Sequence, residues 1–236
     1  MMTKPSRILL VSPHLDDGTF SCGQLLAAHP GATVMTVMAG IPRSYPTPVT
    51  RWDAAAGFRE DDDVVGARRE EDQQALELLD AQPFWLDFID QQYRRDATPY
   101  DPADLACALD ELIVRIRPDM ILAPLGLGHP DHRLTHLGVR QAMVRYPGLP
   151  FYLYAEAIYR QRHGLVEQAL RSIQSAGGDV RACSMQVSPD TERKRRAVVM
   201  YSSQISALEA RARAPDLLLP EILAPERYWR LTATEH

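Results

Sequence analysis

Apolar runs of five to eight residues recur along this chain and alternate with stretches of helical spacing. RILLV (Arg7–Val11), ATVMTVMA (Ala32–Ala39), FWLDFI (Phe84–Ile89), MILAP (Met120–Pro124) and FYLYA (Phe151–Ala155) predict buried strands. Between them, Thr19–Ala28 has the composition of a helix. Val64–Leu79 carries Arg68, Glu71, Asp72, Ala75 and Leu79 at spacings of three or four, a second helix. Asp101, with Pro102 and Asp104 behind it, predicts the start of a third helix reaching Arg115 or Arg117. A fourth is expected over Thr135–Tyr146. Ile41–Asp63 is long and rich in proline, glycine and aspartate, an ordered loop with a short helix around Trp52–Phe58.

Beyond Tyr159 the pattern is less diagnostic. Gly164–Ser175 and Asp190–Ala212 predict helices and Arg181–Val187 a strand. Pro215–Glu226 reads as a surface segment, and Tyr228–Leu231 as a closing edge strand. Strand–helix–strand units of about 30 residues imply right-handed crossovers and parallel strands. The expectation is a three-layer α/β sandwich with a mostly parallel sheet. No repeat, linker or low-complexity tract divides residues 1–236, which are read as a single domain.

Composition narrows the partners. A net charge of -5, from 31 acidic against 26 basic side chains, gives no electrostatic reason to expect nucleic acid. Cys22, Cys107 and Cys183 form no CxxC pair and read as packing residues in a reducing compartment. The apolar run behind the N-terminus, Ile8–Val11, is too short for a signal core or a membrane span. No membrane insertion is expected, and a cytoplasmic location is. Oligomeric state is left open.

Two strand ends open directly into histidine and carboxylate. HLDD (His14–Asp17) follows the first apolar run, and HPDH (His129–His132) follows the fourth. Parallel sheets place ligands at the carboxyl ends of their strands, and bare charge is costly to bury there. His14 and Asp17, three positions apart, can share one ion, and His132 adds a second nitrogen. Such a triad suits zinc with a coordination position left open, although iron(II) or cobalt(II) accept the same donors. A divalent ion of this kind lowers the pKa of water toward neutrality and so supplies a nucleophile for hydrolysis. Asp16 is the candidate general base. His129, as imidazolium, is the candidate oxyanion stabiliser and proton donor to a leaving amine, and Asp131 the candidate orienting carboxylate. The plainer alternative is that Asp16 and Asp17 cap the following helix.

The HLDD and HPDH pair, more than a hundred residues apart after two short apolar runs, resembles the PIG-L/LmbE-like deacetylase family. The resemblance covers residue 5 to about 160. It departs from the usual His-Pro-Asp-Asp at Leu15, whose side chain the chemistry does not need. It implies a Rossmann-like α/β fold and zinc-dependent removal of an acetyl group from N-acetylglucosaminyl conjugates. It further implies His14, Asp17 and His132 as metal ligands, Asp16 as base, His129 as support for the tetrahedral intermediate, and Asp131 as an orienting group.

Several further residues are candidates for the substrate wall. Arg68 and Glu71 share a helical face similar to the family's Arg-x-x-Glu, with a surface ion pair as the plainer reading. Arg43, Tyr45 and Trp52 lie in the long loop, where they would grip a sugar or phosphate. Gln92, Tyr93 and Arg94 follow the third apolar run and are expected at the rim, as are Tyr154 and Glu156. His29, His163 and His236 read as surface. The expected reaction is hydrolysis of an N-acetylated amino-sugar conjugate. The rivals are hydrolysis of another amide or acyl group on an antibiotic or nucleotide sugar, and a non-catalytic sugar-binding protein. A nucleotide-binding role lacks the GxGxxG that lets backbone approach a pyrophosphate.

Overall fold

The computed structural model describes residues 7–94, 100–185, 190–211 and 218–233. Its centre is a seven-stranded sheet. The strands are β1 (Ile8–Ser12), β2 (Thr33–Thr36), β3 (Gln82–Trp85), β4 (Met120–Pro124), β5 (Phe151–Tyr154), β6 (Gly178–Cys183) and β7 (Tyr228–Ala233). They lie in the order β3-β2-β1-β4-β5-β7-β6. The first five are parallel, and β7 runs antiparallel to both its neighbours.

Why β1 is apolar from Ile8 to Val11 and β4 throughout follows from the layers. Leu9, Val11, Ile121 and Ala123 face one core with α4 (Pro102–Ile116), α5 (Pro130–Met143) and α6 (Leu165–Ser175). Ile8, Leu10 and Leu122 face the other. There they meet α1 (Asp17–Ala28), α3 (Val64–Leu78), α7 (Thr191–Val198) and α9 (Leu218–Leu223). Successive side chains on a strand alternate faces, so a strand covered on both sides needs an unbroken apolar run. Truncating a fully buried leucine such as Leu9 to alanine costs about 2–5 kcal/mol. The three-layer, Rossmann-like reading holds.

Boundaries moved where tertiary contacts override local pattern. The third strand ends at Trp85, not Ile89; Phe88 instead meets Tyr100 edge-on at 4.9 Å. The second ends at Thr36, although Val37 and Met38 still donate backbone bonds to Ser12 and Pro13. The short loop helix, α2, is Arg51–Ala55. α5 begins at Pro130 rather than Thr135, so the HPDH segment is itself the helix start, with proline in its first turn. The sixth strand lies earlier than expected, at Gly178–Cys183, and Gln186 and Val187 fall outside the described residues.

The predicted helix over Asp190–Ala212 is two helices. α7 stops at Val198, and α8 (Ser202–Arg211) starts where Glu71 accepts from the Ser203 backbone and from the hydroxyls of Ser202 and Ser203. The segment read as surface contains α9, with Leu218 and Ile222 buried; Pro215 lies outside the described residues. β7 is interior rather than an edge, because β6 pairs along its far side.

One brace joins the two ends of the chain. α1 leaves helical geometry at Cys22 (φ -133°, ψ 17°). The Glu226 carboxylate accepts from the backbone of Gln24 and Leu25 at 2.8 and 3.1 Å, as a helix cap would. Buried Lys194 neutralises it at 2.8 Å. The lysine stem lies over Gly23, where an added Cβ would stand 2.7 Å from Lys194 Cγ.

Candidate metal centre and active-site cavity

β1 and β4 are neighbours in the sheet, yet the chain leaves them in opposite directions. Their carboxyl ends therefore form the switch point at which such sheets bind ligands. Both histidine–carboxylate segments fall there. The first turn is fastened by Ser12, whose hydroxyl donates to the His14 carbonyl at 2.6 Å and accepts from Gly18 N–H at 2.8 Å. Asp16 occupies the N-cap position of α1 but makes no capping bond. Asp17 accepts from the His14 backbone at 3.1 Å. Helix capping does not account for the Asp16 side chain.

Three donor atoms converge. His14 Nδ1 lies 3.2 Å from Asp17 Oδ2, Asp17 Oδ2 lies 3.0 Å from His132 Nε2, and the two ring nitrogens lie 3.3 Å apart. Tetrahedral bonds of about 2.0–2.1 Å separate their ligands by roughly 3.3 Å, so this triangle fits one divalent ion. Each imidazole has a carboxylate on its other nitrogen: Asp131 Oδ2 at 3.4 Å from His14 Nε2, and Glu156 Oε1 at 3.3 Å from His132 Nδ1.

Charge is already arranged for a cation. Burial opposes charging His132, but Asp17 and Glu156 outweigh it and push the imidazole up to about 9. Burial likewise opposes charge on His14, and Asp131 and Asp17 raise it above its ordinary value. Burial would raise the Asp17 carboxyl, yet the two imidazoles hold it well below the usual range. Asp16 goes the other way: burial and the Asp17 charge push it up to about 7. Two adjacent carboxylates thus have opposite tendencies, one anchored as an anion and one poised to exchange a proton.

His129 departs from expectation. Its Nδ1 accepts from Asp131 N–H at 3.2 Å, leaving the ring proton on Nε2. Burial first, and then the neighbouring His14, lower its pKa. Both influences disfavour the imidazolium expected from sequence, and the Nδ1 bond leaves Nε2–H as the ring's donor. Asp131, besides backing His14, accepts from Gln91 N–H at 3.0 Å and from Arg94 at 2.9 Å.

A cavity of about 590 Å³ opens over this cluster, within the range of small-molecule sites. Among the expected wall residues, Trp52, Arg68, Gln92 and Tyr93 line it. Buried Arg68 donates to Asp53 at 2.7 Å and to the Tyr93 hydroxyl at 2.9 Å, so its partner is Asp53 and not Glu71.

Five residues lie elsewhere than expected. Arg43 is exposed and does not line the cavity. The Tyr45 hydroxyl is used by Asp63 and Val65 N–H, both at 2.9 Å, and so anchors the start of α3. Arg94 lies behind the wall, holding Asp131 and stacking on Tyr100 at 4.9 Å. Tyr154 is buried in the core with its hydroxyl on the Val11 carbonyl, and Glu156 is buried behind His132 rather than at a rim.

Sequence reasoning missed Asp53, Asp90, Tyr159 and the α8–α9 wall with Gln204, Leu208 and Arg211. Tyr159 meets His132 edge-on at 5.1 Å, and a Cβ at Gly128 would run into its ring. A second cavity of about 470 Å³, between α3 and α7, contains none of the candidate ligands.

A doubly wound sheet whose switch point gathers a His–Asp–His cluster able to hold a divalent ion, beside the Asp16 carboxylate and under an open cavity, has the arrangement of a metal-assisted hydrolase. The chain belongs to the PIG-L family, whose sequence model, described as GlcNAc-PI de-N-acetylase, matches residues 9–143. It is 34% identical over 217 residues to the 2'-N-acetylparomamine deacetylase of Streptomyces fradiae, covering 84% of this chain and 73% of that protein.

Two solved structures extend the likeness over nearly the whole chain. A deacetylase triple mutant from the teicoplanin biosynthetic pathway has a TM-score of 0.76 at 27% identity, covering 98% of this chain and 99% of that one. The zinc-inhibited form of teicoplanin deacetylase has a TM-score of 0.72 at 25% identity, with the same coverage of 98% and 99%. The protein is a deacetylase.

Proposed function

We propose that the protein removes the acetyl group from the nitrogen of an N-acetylated amino sugar, with His14, Asp17 and His132 holding zinc. The observation that carries the reading is the triangle of donor atoms with sides of 3.0, 3.2 and 3.3 Å. An ion bound there supplies Lewis acidity, polarising the acetamide carbonyl and making water more acidic. Asp16 takes the proton from water as its oxygen bonds to the carbonyl carbon. Neutral His129 points Nε2–H at the developing oxyanion. The C–N bond then breaks, and the proton held by Asp16 passes to the departing nitrogen, leaving acetate and a free amine.

The rest of the site sets geometry. Asp131, held by Arg94 and Gln91, orients His14. Arg68 and Tyr93, tied by Asp53, form a stiff wall against which a sugar lies. The relative that acts on 2'-N-acetylparomamine supports an amino-sugar antibiotic intermediate as the substrate class. No helix among the described residues is long and apolar enough to cross a membrane, and Cys22, Cys107 and Cys183 are free. We place the reaction in the reducing cytoplasm.

The test is acetate release from N-acetylglucosamine, its glycosides, a nucleotide sugar and acetylated aminoglycosides, using metal-stripped and zinc-restored protein. Release that returns with zinc and favours an aminoglycoside is expected. Release that is indifferent to stripping would overturn the metal assignment.

A further inference from the structure

Glu156, two residues past the end of β5, is wholly buried. Its Oε1 accepts from Gly126 N–H at 2.8 Å and Leu127 N–H at 2.7 Å, and lies 3.3 Å from His132 Nδ1. The other oxygen, Oε2, is buried without a hydrogen-bond partner. No lysine or arginine among the described residues forms an ion pair with it. A buried carboxylate half-satisfied in this way is costly unless positive charge stands close by. The two loop N–H groups do not explain it, because a glutamine oxygen would accept from them equally well. What a carboxylate adds over an amide is charge, and the titratable group it faces is the His132 ring.

We propose that Glu156 is a positioning residue of the metal centre: it holds the His132 proton on Nδ1, keeps the Nε2 lone pair on the ion, and strengthens that bond through its charge. The inference rests on His132 being a ligand. The same carboxylate ties the β4–α5 loop to the end of β5, so the histidine helix and the Tyr159 wall share one fixed point. Gly126 accepts the required turn at φ +84°.

The experiment compares wild type, Glu156→Gln and Asp17→Asn by chelator-competition titration of zinc, with melting of each metal-free protein alongside. Glu156→Gln keeps both loop hydrogen bonds, so its metal-free melting is expected to match wild type. Its zinc affinity is expected to fall about 10–100-fold. Undiminished affinity in Glu156→Gln, with wild type binding zinc and Asp17→Asn not, would overturn the positioning role alone. Wild type binding no more zinc than Asp17→Asn would overturn the ligand set, and this inference with it. A measurement on unaltered protein stands beside these: nitrogen-15 NMR of zinc-loaded wild type should find His132 protonated at Nδ1. A proton on Nε2 instead would refute the proposal even if the variant failed to fold.

Discussion

Metal uptake should become tighter as pH rises, and the structure sets the slope. In the metal-free triad Asp17 faces two imidazoles and keeps a proton on His132, whose pKa is pushed up to about 9. An incoming ion must displace that proton, so protons compete with metal below this value. With one proton displaced, the penalty scales as 1 + 10^(pKa - pH). Between pH 7 and 9 it falls from about 100 to about 2, a roughly 50-fold gain in apparent affinity. His14, also raised, acts in the same direction. The assay is chelator competition across that range, with calorimetry in buffers of different ionisation enthalpy to count released protons. Between one and two protons per ion are expected near pH 7. A pH-independent affinity with no proton release in wild type would refute the electrostatic reasoning.

Asp16→Asn should lower kcat by about 10²–10⁴-fold at unchanged zinc content, whereas Asp17→Asn should lose the zinc; atomic absorption beside kinetics separates them. Arg68→Met leaves the Asp53 charge buried and unpaired, and urea unfolding should show a loss of about 3–5 kcal/mol. Adding Asp53→Asn should recover part of that, and a loss within error of zero would contradict the pairing. Gly128→Ala places a Cβ at φ +68° and against the Tyr159 ring, so a loss of about 1–3 kcal/mol is expected with impaired turnover. Wild-type kinetics in that variant would show that the Tyr159 wall does not shape the site.

What the sequence made legible was what strand ends make conspicuous. An apolar run that opens into His14, Asp16 and Asp17 has few structural explanations, and the second such opening doubles the constraint. Glu156 was harder, because a single acid after an apolar strand reads as solvated; its flanking Ala155 and Ala157 were the available signal. Arg68 illustrates a different limit. Local spacing offers Glu71 three residues on, but Glu71 caps α8, while Asp53 fifteen positions earlier completes the guanidinium. Long-range pairing likewise made β7 an interior strand, which the four residues Tyr228–Leu231 cannot announce by their local pattern.

The brace between Glu226, Lys194 and the kinked α1 has a consequence for dissection of the molecule. Residues 9–143 match the family and contain every candidate ligand, yet the helix that opens with Asp17 is finished by side chains from the last fifth of the chain. β7, also from that fifth, lies between β5 and β6. We therefore propose that the chain folds as one indivisible unit. A fragment ending near residue 160 would expose the β5 edge and leave the Gln24 and Leu25 N–H groups unanswered. Shuffling such enzymes by exchanging their C-terminal segments should succeed only when the donor supplies both the lysine and the glutamate, because the active-site turn and its distant clasp are inherited together.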